Sequence, residues 1–211
     1  MTSLLGALTT VALLCGNEPT RPADAVLTAV DSNYAKLYAD GRSFADFLAR
    51  AERRKEQWER NFQQAVVPDA LLARARAARG PWKFLVVAVD GCSDSVNTIP
   101  YLAKLVEQLM GAEMRIIGSD VGRGIMDSHK TPDGRGATPT VLLLDANHAE
   151  RGCWVERPAA LITWLAKEKS QRSENELFDG KMGWYDNDKG MKTLEDLVAM
   201  MEKASRGERG C

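Results

Sequence analysis

The 211 residues hold 28 Lys and Arg against 29 Asp and Glu, a formal net charge of −1, with 45% hydrophobic and 27% charged residues. That balance gives enough apolar material for a core and room for one ordinary domain with extra helices, or two small ones. It excludes the concentrated Lys and Arg that phosphate binding needs, so no nucleic-acid partner is expected. The basic clusters Arg50–Arg60 and Arg74–Arg79 read as solvated helix faces, the first being interleaved with Glu52, Glu56 and Glu59.

From the N-terminus, residues 1–17 carry no charged side chain, and Leu4–Leu14 has the length of a signal-peptide core, too short to span a membrane. No Lys or Arg precedes it, but Ala23-Asp24-Ala25 offers a small-residue cleavage pattern. Residues 1–25 therefore read as a leader or disordered extension. The expected compartment is cytoplasmic, with export the alternative if this segment acts as a signal peptide; no stable membrane span is expected.

Residues 26–80 read as a helical segment. A first helix over Ala23–Ala39 places Val26, Val30, Tyr34 and Leu37 on one side. Ser43 opens a longer one, with Ser43-x-x-Asp46 resembling a capping box and Phe44, Phe47, Leu48, Ala51, Trp58 and Phe62 as its stripe. Pro68 suits the first turn of a third helix, which Gly80-Pro81 stops.

The pattern then changes to that of an α/β unit. Lys83–Val89 contains a continuous apolar run, as a strand buried on both faces should. A helix follows from Ser95 to about Met110, kinked at Pro100 by the missing N–H. Then come a strand at Met114–Ile117, a helical turn near Val121–His129, a Gly-rich loop at Asp133–Ala137, a strand at Thr140–Asp145, a return strand at Cys153–Val155 and a helix at Pro158–Lys167. This β-α-β-α-β-β-α order belongs to a mixed sheet covered by helices. Residues 169–211 form a C-terminal extension with a helix. Within it Asp186-Asn-Asp188-Lys-Gly190 lacks a third early ligand and has Leu197 where a calcium loop needs its closing Glu.

Four cysteines, Cys15, Cys92, Cys153 and Cys211, lie far apart, and His129 and His148 complete no ligand set, so no metal site is expected. The two histidines read as surface residues. Cys153 reads as structural on an edge strand and Cys211 as a bystander, with a resolving thiol the alternative. Cys92 differs, standing where a buried strand gives way to a helix. Unsatisfied N–H groups at such a turn favour a thiolate over a thiol. Ser95, three residues on, lies on the same side of the turn and either caps the helix or hydrogen-bonds the thiolate. Asp90 and Asp94 flank the thiol and, being negative, oppose its ionisation.

Cys92-Ser93-Asp94-Ser95 followed five residues later by Pro100, and Thr138-Pro139 opening a strand, resemble the thioredoxin fold. The match covers residues 81–168. A narrower resemblance is to a bacterial thioredoxin-like subfamily with a helical N-terminal segment, a C-x-D-[AS] site, a Gly-rich approach to the proline and a tryptophan-bearing C-terminal segment. These read here as Cys92-Ser-Asp94-Ser95, Gly134-Arg-Gly-Ala-Thr-Pro139 and Trp184-Tyr-Asp-Asn-Asp-Lys-Gly190. The chain departs from the family in three places. Ser95 replaces the resolving cysteine, Gly91 replaces an aromatic, and Val86 stands where a buried acid is common.

The resemblance implies a cis Pro139 facing the thiol and a monothiol thiol–disulfide oxidoreductase. Cys92 and Ser95 would be catalytic, and Gly91, Asp94, Thr138 and Pro139 would meet the substrate. The partners implied are protein or small-molecule disulfides. No bound cofactor is expected, glutathione being a candidate external thiol that releases the product. The alternative is a non-catalytic binding or chaperone-like module on the same fold. A monothiol-glutaredoxin-like iron–sulfur role ranks below both, because the motif interior Ser93-Asp94 differs.

Overall fold

The computed structural model describes residues 33–210. Leu4–Leu14, the start of the first expected helix, Cys15 and Cys211 lie outside the described residues. A helical segment over 33–40 (α1) puts Tyr34 and Tyr38, four residues apart, on one buried side. The chain next meets the sheet at an isolated bridge between Arg42 and Ile116. Ser43 then caps α2 (Phe44–Arg50), its Oγ accepting from the Asp46 N–H at 3.1 Å.

The single long helix expected from Ser43 onward is two helices. α2 ends at Arg50, Arg54 takes a left-handed φ of 56°, and α3 (Lys55–Gln64) starts afresh. Nothing in Ala51-Glu-Arg-Arg54 opposes helix by propensity. The break is tertiary in origin. Asp90 Oδ2 accepts from the backbone N–H groups of Glu52 and Arg53, both at 2.9 Å, and Trp58 Nε1 donates to the Asp90 carbonyl at 2.9 Å. α4 (Asp69–Ala77) follows Pro68, and Gly80-Pro81 lead into the sheet.

The sheet has four strands in the order β2-β1-β3-β4. β1 (Trp82–Val87) pairs in parallel with β2 (Ala112–Ile117) and antiparallel with β3 (Thr140–Leu144), which pairs antiparallel with β4 (Glu150–Val155). Alternation along the strands sorts the core. Phe84, Val86, Val141 and Leu143 face one apolar cluster, and Leu85, Val87, Leu142 and Leu144 face the other with Tyr34, Tyr38 and Ile125. Both faces are covered, which is why Phe84–Val87 and Val141–Leu144 read as unbroken apolar runs.

Between β1 and β2 run α5 (Ser93–Val96) and α6 (Ile99–Glu107); α7 (Arg123–Ser128) precedes β3, and α8 (Ala159–Glu168) follows β4. The expected kink at Pro100 is instead a break one turn earlier. Asn97 Nδ2 donates to the Ser93 carbonyl at 2.8 Å and Thr98 Oγ1 to the Asp94 carbonyl at 2.7 Å, ending α5. Pro100 then falls in the first turn of α6, where its missing N–H leaves nothing unpaired.

The C-terminal extension holds two helices, α9 (Glu174–Asp188) and α10 (Met191–Ser205). α10 is core: Leu194, Leu197 and Val198 are fully buried in the same cluster as Phe84 and Val86. The two helices turn at Gly190, whose φ is 77° and where a Cβ would lie 2.1 Å from the Tyr101 ring. Only glycine fits there.

Candidate functional site

Cys92 follows the end of β1 and is itself the N-cap of α5, half-buried. Its Sγ accepts from the Ser95 N–H at 3.5 Å and donates to the Thr138 carbonyl at 3.2 Å. The Thr138–Pro139 peptide is cis. The loop around it is fixed on both sides: the Pro139 carbonyl accepts from the Glu156 N–H at 2.7 Å, and Thr140 Oγ1 donates to the Ala137 carbonyl at 2.7 Å. The Thr138 N–H finds no acceptor among the described residues. Cys92, Ser95 and the Thr138–Pro139 peptide thus meet at one place, and Cys92 is the free thiol among the described residues.

Ser95 is fully buried, and its Oγ has no hydrogen-bond partner among the described residues. Capping, one of the two roles expected of it, falls to Cys92. An orphaned hydroxyl three residues from a thiol is costly to keep unless some state of the site uses it.

Asp94, expected among the substrate-meeting residues, is buried at 5% exposure. Arg157 grips its carboxylate through Nε at 3.1 Å and Nη2 at 3.2 Å, Lys181 Nζ donates to both oxygens at 3.2 and 3.1 Å, and Tyr185 Oη donates at 2.8 Å. Burial alone would raise this carboxyl's pKa; the Arg157 hydrogen bonds and the Lys181 and Arg157 charges outweigh it and hold the group below its ordinary value. The Tyr185 hydroxyl is pushed well up, by burial and then by the Asp94 charge. Lys181 also donates to Ser93 Oγ at 3.1 Å, which ties the motif to α9 a second time.

Asp90 is the other expected opponent of the thiolate. Burial pushes its carboxyl up, but backbone N–H bonds from Arg53, Glu52 and Gly91 bring it below the ordinary value. Both flanking carboxylates are therefore matched by donors or cations.

On the far side of the motif, Arg157 also pairs with Glu156 at 2.9 Å, and Glu156 with Arg135 of the Gly-rich loop at 3.2 Å. Glu156 holds this position with a left-handed φ of 65°. Arg135 in turn pairs with Asp133 at 2.8 Å. One chain of charges thus runs from the loop before Pro139, through the end of β4, to Asp94 and α9.

Gly91 lies beneath the Arg53 guanidinium: a Cβ there would sit 2.7 Å from both Cζ and Nε of Arg53. Arg54 Nε donates to the Gly91 carbonyl at 3.1 Å. The space an aromatic would fill in the resembled family is occupied from the N-terminal segment. By sequence Arg53 and Arg54 read as solvated charges, and nothing there singles out Arg157, Lys181 or Tyr185. The i, i+4 spacing of Lys181 and Tyr185 shows that they share a helix face, though not what that face meets.

The remaining candidates lie elsewhere. Cys153, on β4, is engaged in a disulfide. His129, expected on the surface, is largely buried and pairs with Glu150 at 3.0 Å. Among the described residues no cluster of His, Cys, Asp and Glu could hold a metal ion, and no helix is long and apolar enough to cross a membrane.

The mixed sheet, its flanking helices and a cysteine at the turn after β1 define a thioredoxin-like α/β protein. The chain belongs to the thioredoxin family, whose model matches residues 41–170. Among solved structures it is similar to a protein of unknown function from Pseudomonas aeruginosa, at 22% identity and a TM-score of 0.64, over 81% of this chain and 98% of that one. An HIV epitope-scaffold is similar at 23% identity and a TM-score of 0.62, over 80% and 97% of the two chains. No curated protein matches the sequence. At such identities the structural likenesses carry the fold and not the chemistry.

Proposed function

We propose that the chain is a monothiol thiol–disulfide oxidoreductase working through Cys92. The observation that carries this reading is the free Cys92 thiol, 3.2 Å from the Thr138 carbonyl, beside a backbone N–H that has no acceptor in the described chain. An extended substrate fits that unpaired edge, since a strand-like segment supplies the acceptor Thr138 N–H needs.

Cys92 first loses its proton to solvent, which ends its bond to the Thr138 carbonyl. The thiolate keeps the Ser95 N–H, and the Ser95 hydroxyl, unpartnered at rest, is the group that a side-chain rotation would bring to it as a second donor. Attack on one sulfur of a substrate disulfide forms a Cys92–substrate bond and breaks the substrate S–S bond. The departing sulfur leaves as a thiolate and is protonated by solvent. A second thiol, glutathione or a cysteine of another protein, then attacks the mixed disulfide as its thiolate, returning Cys92 and forming a new disulfide. The two steps exchange partners with no net change of redox state. Asp94, whose oxygens are all taken, acts as a positioning residue that fixes the motif against Arg157 and α9.

The test is reaction of purified protein with a small mixed disulfide in the presence of glutathione, followed by mass spectrometry of the protein. A Cys92 adduct and turnover, both lost in Cys92→Ser, are expected. Turnover that survives in Cys92→Ser would move the chemistry elsewhere. No adduct in the wild type would leave the non-catalytic binding module as the better reading.

A further inference from the structure

A cleft of about 290 Å3 opens where the parallel strands β1 and β2 end, walled by Arg42, Arg50, Asp90, Gly118, Ser119 and Asp120. In sheets of this type the carboxyl ends of parallel strands are where ligands enter. Gly91 alone separates the Asp90 wall from Cys92, so the cleft wall and the thiol-bearing residue are two residue steps apart, at most about 7 Å of chain. Arg53 lies directly over that Gly91.

The guanidiniums around this path are not tied down, although the Arg53 charge contributes to holding the Asp90 carboxyl low. Arg42, Arg50 and Arg53 are exposed, and none of the three guanidiniums makes a hydrogen bond or an ion pair within the described chain. Other arginines of the molecule do find carboxylates: Arg74 with Glu202, Arg135 with Glu156, Arg151 with Asp145 and Arg157 with Asp94. The nearest acid, Asp90, spends Oδ2 on the Glu52 and Arg53 backbone N–H groups. Those two bonds also lock the loop before α3, with Arg54 in a left-handed conformation, and so aim Arg53 across Gly91. A conformation that L side chains rarely adopt, held beside a nucleophile, is a hallmark of pre-organised sites.

We infer that Arg53 and the Arg42–Arg50 cleft select the partner of Cys92, favouring small disulfides and thiols that carry carboxylates. This deepens the monothiol reading and rests on it. A carboxylate of the incoming molecule takes the fork of Arg53 while its sulfur reaches Cys92, and a second carboxylate reaches into the cleft. Exposed Asp120, on the cleft wall and without an ion pair, suits an ammonium group of the same molecule.

The experiment compares the rates at which Cys92 forms mixed disulfides with oxidised glutathione (anionic), hydroxyethyl disulfide (neutral) and cystamine (cationic). Wild type is expected to rank them in that order after correction for the intrinsic reactivity of each disulfide. In Arg50→Ala/Arg53→Ala the preference for oxidised glutathione over hydroxyethyl disulfide should fall roughly tenfold, as loss of two charge-assisted contacts implies. Arg53→Glu should turn the preference towards cystamine. Arg79→Ala, at the other end of β1, should keep the wild-type ratio. Adducts from all three disulfides with a ratio unmoved by the arginine variants would overturn the inference and leave the monothiol chemistry standing. No adduct with any of them in wild type would remove the monothiol reading, and this inference with it.

Discussion

Ser95 and Asp94 lie on either side of one peptide turn, and their side chains are in opposite conditions. Ser95 Oγ is buried without a partner, whereas every oxygen of Asp94 is taken. Truncating an unpaired buried hydroxyl removes a polar group that contributes nothing to the resting fold. Ser95→Ala should therefore leave stability unchanged or raise it by up to about 1 kcal/mol. A helix cap removed in the same way would cost about 1 kcal/mol, so urea denaturation separates the two roles. The same variant should alkylate Cys92 roughly two- to fivefold more slowly at fixed pH, because the thiolate has lost its second donor. An unchanged rate would confine Ser95 to packing. The sequence puts Ser95 three residues after Cys92, and in the structure its N–H donates to the Cys92 sulfur. It could not show that the hydroxyl is orphaned, since that depends on what every neighbouring element leaves unfilled.

At the scale of elements, α9 and α10 are equal in length and differently attached. α10 buries seven residues, chiefly the apolar stripe Leu194, Leu197, Val198, Met200 and Met201. α9 buries only Lys181 and Tyr185, and both reach Asp94. α10 is thus held by the hydrophobic effect and α9 by a polar cluster, which is short-ranged and geometrically exacting. Asp94→Ala leaves buried Lys181 without its carboxylate and Arg157 with Glu156 alone, which should cost about 3 kcal/mol. The loss should be local: hydrogen exchange of α9 amides should rise well before that of α10. Adding Lys181→Met to Asp94→Ala should recover part of the stability. Equal loss of protection in both helices would mean that α9 is held by something other than this cluster. α10 carries a period that sequence can display, whereas in α9 the apolar residues form no stripe and the two that matter are polar.

For the whole molecule, the same ion pairs set how stability follows pH. Asp94 and Glu150 have carboxyl pKa values below the ordinary ones, as the net result of burial raising them and hydrogen bonds and cations lowering them further. Their stabilisation is present above the ordinary values of 3.8 and 4.5 and is lost as pH falls through the depressed native ones. His129 runs the other way. Its hydrogen bond to Glu150 holds the imidazolium above 6.5 against the effect of burial. That contribution is complete below 6.5 and disappears as pH climbs through the raised native value. The urea midpoint should therefore peak in weakly acidic solution and decline on both sides. His129→Ala should flatten the alkaline decline and keep the acid one. An alkaline slope unchanged in that variant would mean that the His129–Glu150 pair is not its source.

The sequence by itself determined the sheet and the place of the thiol. Continuous apolar runs at Phe84–Val89 and Val141–Leu144 suffice to make buried strands, and Asp90-Gly91-Cys92 has to turn where the first run ends. These are local signals, carried by residue type and period along one segment. What only the tertiary structure decided are the meetings between segments far apart in the chain. Asp90 interrupts a helix 38 residues upstream by taking the Glu52 N–H. Asp94 gathers a tyrosine 91 residues downstream. Arg53 fills the space over Gly91. A charged residue in a sequence reads as solvated by default, because water is the partner always at hand. Only folding shows which charges have exchanged water for one another and which, like Arg42, Arg50 and Arg53, remain exposed and unpaired beside the thiol.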